Sequence, residues 1–307
     1  MRVRTRKLAL AEGVIAGILF GTAAIFIRFL QNLDAFSIAF WRLIVACLVL
    51  ASILVALRKP FMLRLVRKNL RDLLVLGFFL GLHFIFFISA VKDTTILNAT
   101  VLVNTTPIFS VFVSSFIFKA KPSSMAILGL TISFVGVLTV AYAETGVGGG
   151  VASLERFSPS LKGDLEAILA AVVESFYLNY GRKTRSHMDI LPTMLPVYFF
   201  TSVFVGLLSI PATSRALALP TQAMNILPLI GLGVLPTAAA HTLYFSSLSN
   251  LKSFETATMA LLEPIGATIL GVAMFQETPA PLFAAGAALI LAGVVFVVRN
   301  KPRESGG

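Results

Sequence analysis

Apolar residues run in long blocks along this chain, separated by short polar or basic segments. A helix needs about 20 apolar residues to cross the hydrocarbon core of a bilayer. The pattern predicts ten such helices, near 9–30, 36–57, 72–91, 96–117, 123–143, 163–182, 191–211, 226–248, 254–275 and 281–298. The stretches from Thr94 to Phe118 and from Pro122 to Ala143 carry no charge, whereas the sixth contains Asp164, Glu166 and Glu174 and is the weakest by hydropathy. The expected fold class is an all-α integral membrane protein of ten transmembrane helices.

The blocks repeat. Shifting the sequence by 157 positions aligns residues 76–142 with 233–299 without a gap. Ser89 falls on Ser246, Pro107 on Pro264, Phe118 on Phe275, Pro122 on Pro279, Gly129 on Gly286 and Gly136 on Gly293. Regular matching of turn and small residues marks an internal duplication rather than shared apolarity. Five helices per copy is an odd number, so the second copy enters the membrane from the opposite side, as in the inverted repeats of many secondary transporters. The expected layout is a first repeat over 8–143, an outer linker over 144–160, a second repeat over 161–299 and a cytoplasmic tail over 300–307.

Composition agrees. Hydrophobic residues make up 57% and charged residues 13% of the 307 positions, and the mean hydropathy is +0.90; soluble domains carry roughly 25% charge. The net charge of +11 is distributed in the connections, so it reads as a topology signal and not as a nucleic-acid face. Nineteen of the twenty-five Lys and Arg collect on one side if the helices alternate, which places both termini in the cytoplasm of a plasma-membrane protein. The single cysteine, Cys47, supports neither a disulfide nor a thiolate metal site. No cofactor or metal is expected.

The run Asn98-Ala-Thr-Val-Leu-Val-Asn-Thr-Thr-Pro107 has the counterpart Glu255-Thr-Ala-Thr-Met-Ala-Leu-Leu-Glu-Pro264, each is followed by a Pro-x6-Gly-x6-Gly helix, and the second helix carries Phe40-Trp41-Arg42. On these residues each half resembles an EamA-type domain of the drug/metabolite transporter superfamily. The resemblance covers nearly the whole chain and implies a metabolite or drug carrier, often an exporter. Glu174 departs from the aromatic or apolar residue usual at that position, and the departure bears on substrate or coupling.

Several intramembrane residues are candidates for substrate contact. Pro107 and Pro264 each interrupt a helix near its middle and free the carbonyls of Val103 and Ala260, so both kinks suit a cavity wall. Glu263 and Glu174 are carboxylates at mid-helix, where an ionised group costs at least ~2.5 kcal/mol unless it is paired, protonated or hydrated. Tyr177 and Gly181 share the face of Glu174 at i+3 and i+7. His83 and His241, the latter near Tyr244, could relay protons, but their spacing is not that of a metal site. Asn104 lies beside the Pro107 kink, and Thr105 and Thr106 add hydroxyls that also serve packing. Arg42 either snorkels to the outer headgroups, the favoured reading, or turns inward towards a carboxylate such as Glu263. Gly13, Gly17 and Gly21, like Gly77 and Gly81, mark close helix packing.

The function these features point to is alternating-access transport of small organic metabolites such as amino acids or amines, by a monomer or homodimer, with protons as a candidate coupling ion. A phosphorylated-sugar or nucleotide-sugar exchanger of the same superfamily is the second carrier reading; it needs deep cationic residues, and Arg42 alone is near. An integral membrane enzyme would show clustered His, Asp or Cys motifs, and a Walker-type loop for ATP hydrolysis is missing from the sequence. A channel differs from a carrier only in flux behaviour.

Overall fold

The computed structural model describes residues 5–58, 63–119, 122–145, 160–186, 188–213, 217, 220, 222–275 and 281–299. Most of the connection from Gly146 to Pro159 and the tail from Asn300 lie outside the described residues, as does Pro279.

Each of the apolar stretches folds as helix, and local caps decide where several begin. Thr5 accepts the Leu8 amide to start α1 (Arg6–Phe20), which breaks at Gly21 and Thr22 before α2 (Ala23–Phe29). Asp34 accepts the Ser37 amide to start α3 (Ala35–Ala56). The short α4 (Leu63–Lys68) leads into α5 (Leu70–Asp93). Thr95 caps α6 (Ile96–Val103), and α7 (Thr106–Phe116) follows after a break at Asn104 and Thr105. The first half closes with α8 (Ser124–Thr145).

The second half opens with α9 (Leu161–Arg185) and α10 (Ile190–Ala212). Next come α11 (Ala223–Leu232), a π-helical segment (Gly233–His241) and α12 (Thr242–Ser247) in one continuous rod. Glu255 reaches back to the Lys252 amide at the start of α13 (Ser253–Met259). A 3-10 turn (Ala260–Leu262) then leads into α14 (Glu263–Phe275), and α15 (Pro281–Arg299) ends the fold.

Among the described residues, six of these rods are long and apolar enough to cross a membrane: Arg6–Phe29, Ala35–Ala56, Leu70–Asp93, Ile96–Phe116, Ile190–Ala212 and Ala223–Ser247. Shorter apolar helices span Ser124–Val140 and Pro281–Val297. The outer surface is hydrocarbon: Val55, Phe116 and Leu227 are each more than three-quarters exposed. Polar groups such as Arg42, Asn104, Glu174 and Glu263 are buried inside. That inside-out distribution suits a bilayer and not water.

Packing follows the duplication. In the first copy, α6 and α7 pack on α9; in the second, α13 and α14 pack on α1. Likewise α5 lies against α9, and its counterpart, the rod through α12, lies against α1. The equivalent helices α8 and α15 pack on each other and run antiparallel, since Gly129 meets Gly293 while Gly136 meets Gly286. At their crossing the Ser133 hydroxyl donates to the Ile290 carbonyl at 3.2 Å, a pair separated by the repeat interval of 157. Two equivalent helices that cross antiparallel are related by a two-fold axis perpendicular to them.

Small residues bring α1 against the broken second-copy rod. A Cβ on Gly17 would lie 2.0 Å from the Met259 carbonyl oxygen, and one on Gly266 would lie 2.1 Å from that of Ile18. Backbone touches backbone here, the role expected of the Gly13, Gly17 and Gly21 series.

Candidate functional site

The two broken rods carry the site. Pro107 stands in the first turn of α7, where its missing amide removes no helical bond of α7, and Pro264 stands likewise at the start of α14. The prolines therefore start new helices rather than bend continuous ones. The freed Val103 carbonyl is not left open, because the Thr106 hydroxyl donates to it at 2.7 Å. The Ala260 carbonyl accepts from the backbone of the following turn.

These breaks aim polar side chains at a shared cavity, with about 40 Å³ of free interior. That holds water positions and not an organic solute. Asn104 and Glu263 line it from the two breaks, His83 from α5, Glu174 from α9 and His241 from the π-helical segment. Arg42 enters from α3, and Phe20, Phe84, Phe87 and Pro236 supply apolar wall.

The Asn104 amide donates to Glu263 Oε2 at 3.3 Å and to the Thr100 carbonyl at 2.8 Å. Across the cavity, the Thr106 hydroxyl lies 3.1 Å from Glu174 Oε2. His83 Nδ1 stands 3.1 Å from the Ala170 carbonyl, which can only accept, so this nitrogen carries the hydrogen; Glu174 Oε2 is 3.7 Å from it. His241 packs edge-on against Phe20 and Phe84, with ring centroids 4.8 Å away in each case, and 5.9 Å from His83. Its Nδ1 has no hydrogen-bond partner among the described residues.

Arg42 corrects the snorkelling expectation. It is 1% exposed, its Nε donates to the Thr237 hydroxyl at 2.8 Å, and its guanidinium lies 4.1 Å over the Phe84 ring. Its Nη1 is buried without a hydrogen-bond partner among the described residues. The π-helical segment makes this possible: Thr237 donates to the Leu232 carbonyl five residues back while receiving Arg42. Arg28 donates to the Thr94 carbonyl at 2.8 Å.

Not every candidate reaches the cavity. The Tyr177 hydroxyl points at Met194 Sδ, 3.9 Å away, and its ring packs on Phe245, so it belongs to the apolar core. Tyr244 is buried against Phe20, its hydroxyl has no hydrogen-bond partner among the described residues, and it is not in the cavity lining. Pro107 and Pro264 shape the breaks, yet neither lines this cavity. The aromatic wall and the partnership of Thr106 with Glu174 were missed from sequence. One signal existed for the latter, since Thr106 aligns with Glu263 under the 157-residue shift.

Comparison with known proteins bears on this arrangement. Residues 8–142 and 161–299 each match the EamA-like transporter family. An uncharacterized transporter of Archaeoglobus fulgidus is 27% identical over 94% of this chain and 95% of its own length. Solute carrier family 35 member G1 of Mus musculus is 24% identical over 89% of this chain and 73% of its own. A solved crystal structure, 19% identical, superposes with a TM-score of 0.74 over 95% of this chain and 96% of that one, which shows a shared fold. With its two matching halves folded into paired, equivalent helices, the chain belongs to the EamA-like transporter family.

Proposed function

We propose that this transporter crosses the membrane ten times as two inverted five-helix repeats, both termini cytoplasmic, and exports small organic metabolites such as amino acids or amines by alternating access across the plasma membrane. The antiparallel crossing of α8 and α15 supports the inversion, because copies related by an axis along the membrane normal would place equivalent helices parallel. The α9 rod, too charged to pass on hydropathy, is held in the bundle by α5 and α7, with Glu174 turned to the interior.

One observation carries the reading: the cavity between the two broken rods is lined by buried Glu174, Glu263, Asn104, His83, His241 and Arg42, and is too small for a solute as it stands. Polar groups at that depth are costly and find their use in substrate or proton contact. A central volume this small fits a cycle in which helices must separate, on one side at a time, before a solute enters. Carboxylates accept from an ammonium group, and the Arg42 guanidinium donates to a carboxylate or hydroxyl.

Arg42 in the cavity favours, to a lesser degree, the phosphorylated-sugar or nucleotide-sugar exchanger. One guanidinium shared with two carboxylates is a poor seat for a phosphate dianion, so amines and zwitterions are preferred. The test is uptake of labelled amino acids, amines and sugar phosphates by proteoliposomes, with and without a pH gradient, beside Glu263→Gln and Glu174→Gln. Saturable counterflow of an amine or amino acid, lost in either variant, supports the reading. Saturable flux confined to sugar phosphates moves the assignment to the exchanger, and linear flux without counterflow makes the protein a channel.

A further inference from the structure

Glu263 lines a second space. It also belongs to the lining of a crevice with about 70 Å³ of free interior between the α1–α2 break, α2, α6, α8 and α14. The walls are apolar, with Ala24, Leu97, Val101, Val137 and Val140 contributing, and Thr100 the main polar exception. The Thr100 hydroxyl is already committed to the Ile96 and Leu97 carbonyls of its own helix, so it presents its methyl group. Of these walls Val137 and Val140 are buried, whereas Leu97 and Val101 are half-buried and Ile96 is exposed. The lining therefore runs from exposed Ile96 at the surface of the bundle to buried Glu263. From Ile96 to the level of Asn104, which bonds Glu263, is eight residues of helical rise, ~12 Å. Glu263 lines both spaces, and Asn104, its hydrogen-bond partner, lines the central cavity.

A space with hydrocarbon walls and one acidic residue in its lining suits an amphipathic ammonium ion: a hydrocarbon tail for the walls and one positive head for the carboxylate. Water gains nothing from such walls, and a lipid with an anionic headgroup would meet the wrong charge at Glu263. The duplicate position offers no equivalent, because Thr106 stands where Glu263 stands in the second copy. We propose that this crevice is a subsite for the apolar tail of organic ammonium substrates, entered from the membrane-facing side near Ile96, with Glu263 holding the ammonium at the boundary with the central cavity. This rests on the carrier reading of the central cavity. It assigns Glu263 two faces: release of the Asn104 bond lets the head pass inward while the tail is still held.

The experiment is equilibrium binding of n-alkylammonium ions, methyl to octyl, to the full chain in nanodiscs, with partitioning into empty nanodiscs subtracted. Each buried methylene is worth about fourfold in affinity, so affinity should rise by that step until the crevice is filled. The readout is the ratio of octylammonium to methylammonium affinity within each protein, which cancels differences in folded fraction. In Thr100→Leu and Val140→Phe, which fill the crevice from opposite walls, the ratio should collapse towards one. In Glu263→Gln octylammonium should bind no better than octanol. An unchanged ratio in both filling variants overturns the subsite, as does octanol matching octylammonium in the unaltered protein. The two readings separate cleanly: a flat ratio with saturable methylammonium counterflow intact removes the crevice alone, whereas loss of all saturable flux removes the carrier reading while the binding ratio still reports on the crevice.

Discussion

Thr106 and Glu263 stand at equivalent positions of the two copies, each immediately before the proline that starts a new helix, and one carries a hydroxyl where the other carries a carboxylate. The hydroxyl meets Glu174 of α9, and the carboxylate meets Asn104 of the other copy's break. The duplicated scaffold thus holds an asymmetric site, with a carboxylate on each side of the cavity supplied by different elements.

Glu263→Gln keeps an acceptor for Asn104 but removes the charge. Flux of an ammonium substrate should fall at least tenfold with the folded protein still recovered, whereas Asn104→Ala should leave measurable flux and alter the substrate concentration needed for half-saturation. Initial rates in proteoliposomes distinguish the two; equal loss in both would mean that the hydrogen bond and not the charge matters.

Thr106→Val preserves shape while removing the hydroxyl that serves both the Val103 carbonyl and Glu174. Hydrogen bonds within membrane bundles average about 0.6 kcal/mol, so the loss should be on the order of 1 kcal/mol. Unfolding in mixed micelles checks this, and a neutral outcome would show that neighbouring groups take over both contacts.

Gly17→Leu should prevent assembly, because even the first carbon of its side chain would fall 2.0 Å from a backbone oxygen of Met259. Gly81→Ala should fold normally, since its Cβ would sit 3.4 Å from Val205 Cγ2, in ordinary contact. Size-exclusion profiles of the two variants decide. Matching profiles would mean that the α1 contact with the second-copy break relaxes easily.

Arg6 and Glu255 form a 2.8 Å ion pair joining the start of α1 to the start of α13, with Glu255 almost fully buried. The duplicate contact joins α9 to α6 through Asp164, Thr94 and Asn98 at the other end of the bundle. In a Cys47→Ser background, Arg6→Cys with Glu255→Cys should be bridged by a reducible bifunctional thiol reagent whose span replaces that of the two long side chains. If this junction opens during the cycle, the cross-link should stop transport and reduction should restore it; full flux in the cross-linked protein shows that the junction moves as one body.

Tags at the two termini should be cleaved from the same side of sealed vesicles. This follows from inverted copies with antiparallel α8 and α15. Cleavage from opposite sides would require an odd number of crossings.

The hydropathy blocks and the 157-residue spacing of Pro107 with Pro264 and Gly129 with Gly286 were sufficient, unaided, for the membrane class, the duplication and the family. These properties depend on how much apolar surface a segment carries and on recurrence along the chain, both of which are local. Which side chains meet was decided only by the tertiary structure. These helices are apolar on nearly every face, so no amphipathic stripe sets their rotation; backbone approach at Gly17, Gly129 and Gly266 sets it instead. That rotation turned Arg42 inward to Thr237 and Phe84, brought Thr106 to Glu174, and sent Tyr177 into the core although it shares a helix with Glu174. The π-helical segment around Pro236 carried His241 and Thr237 to positions that regular helical spacing does not predict.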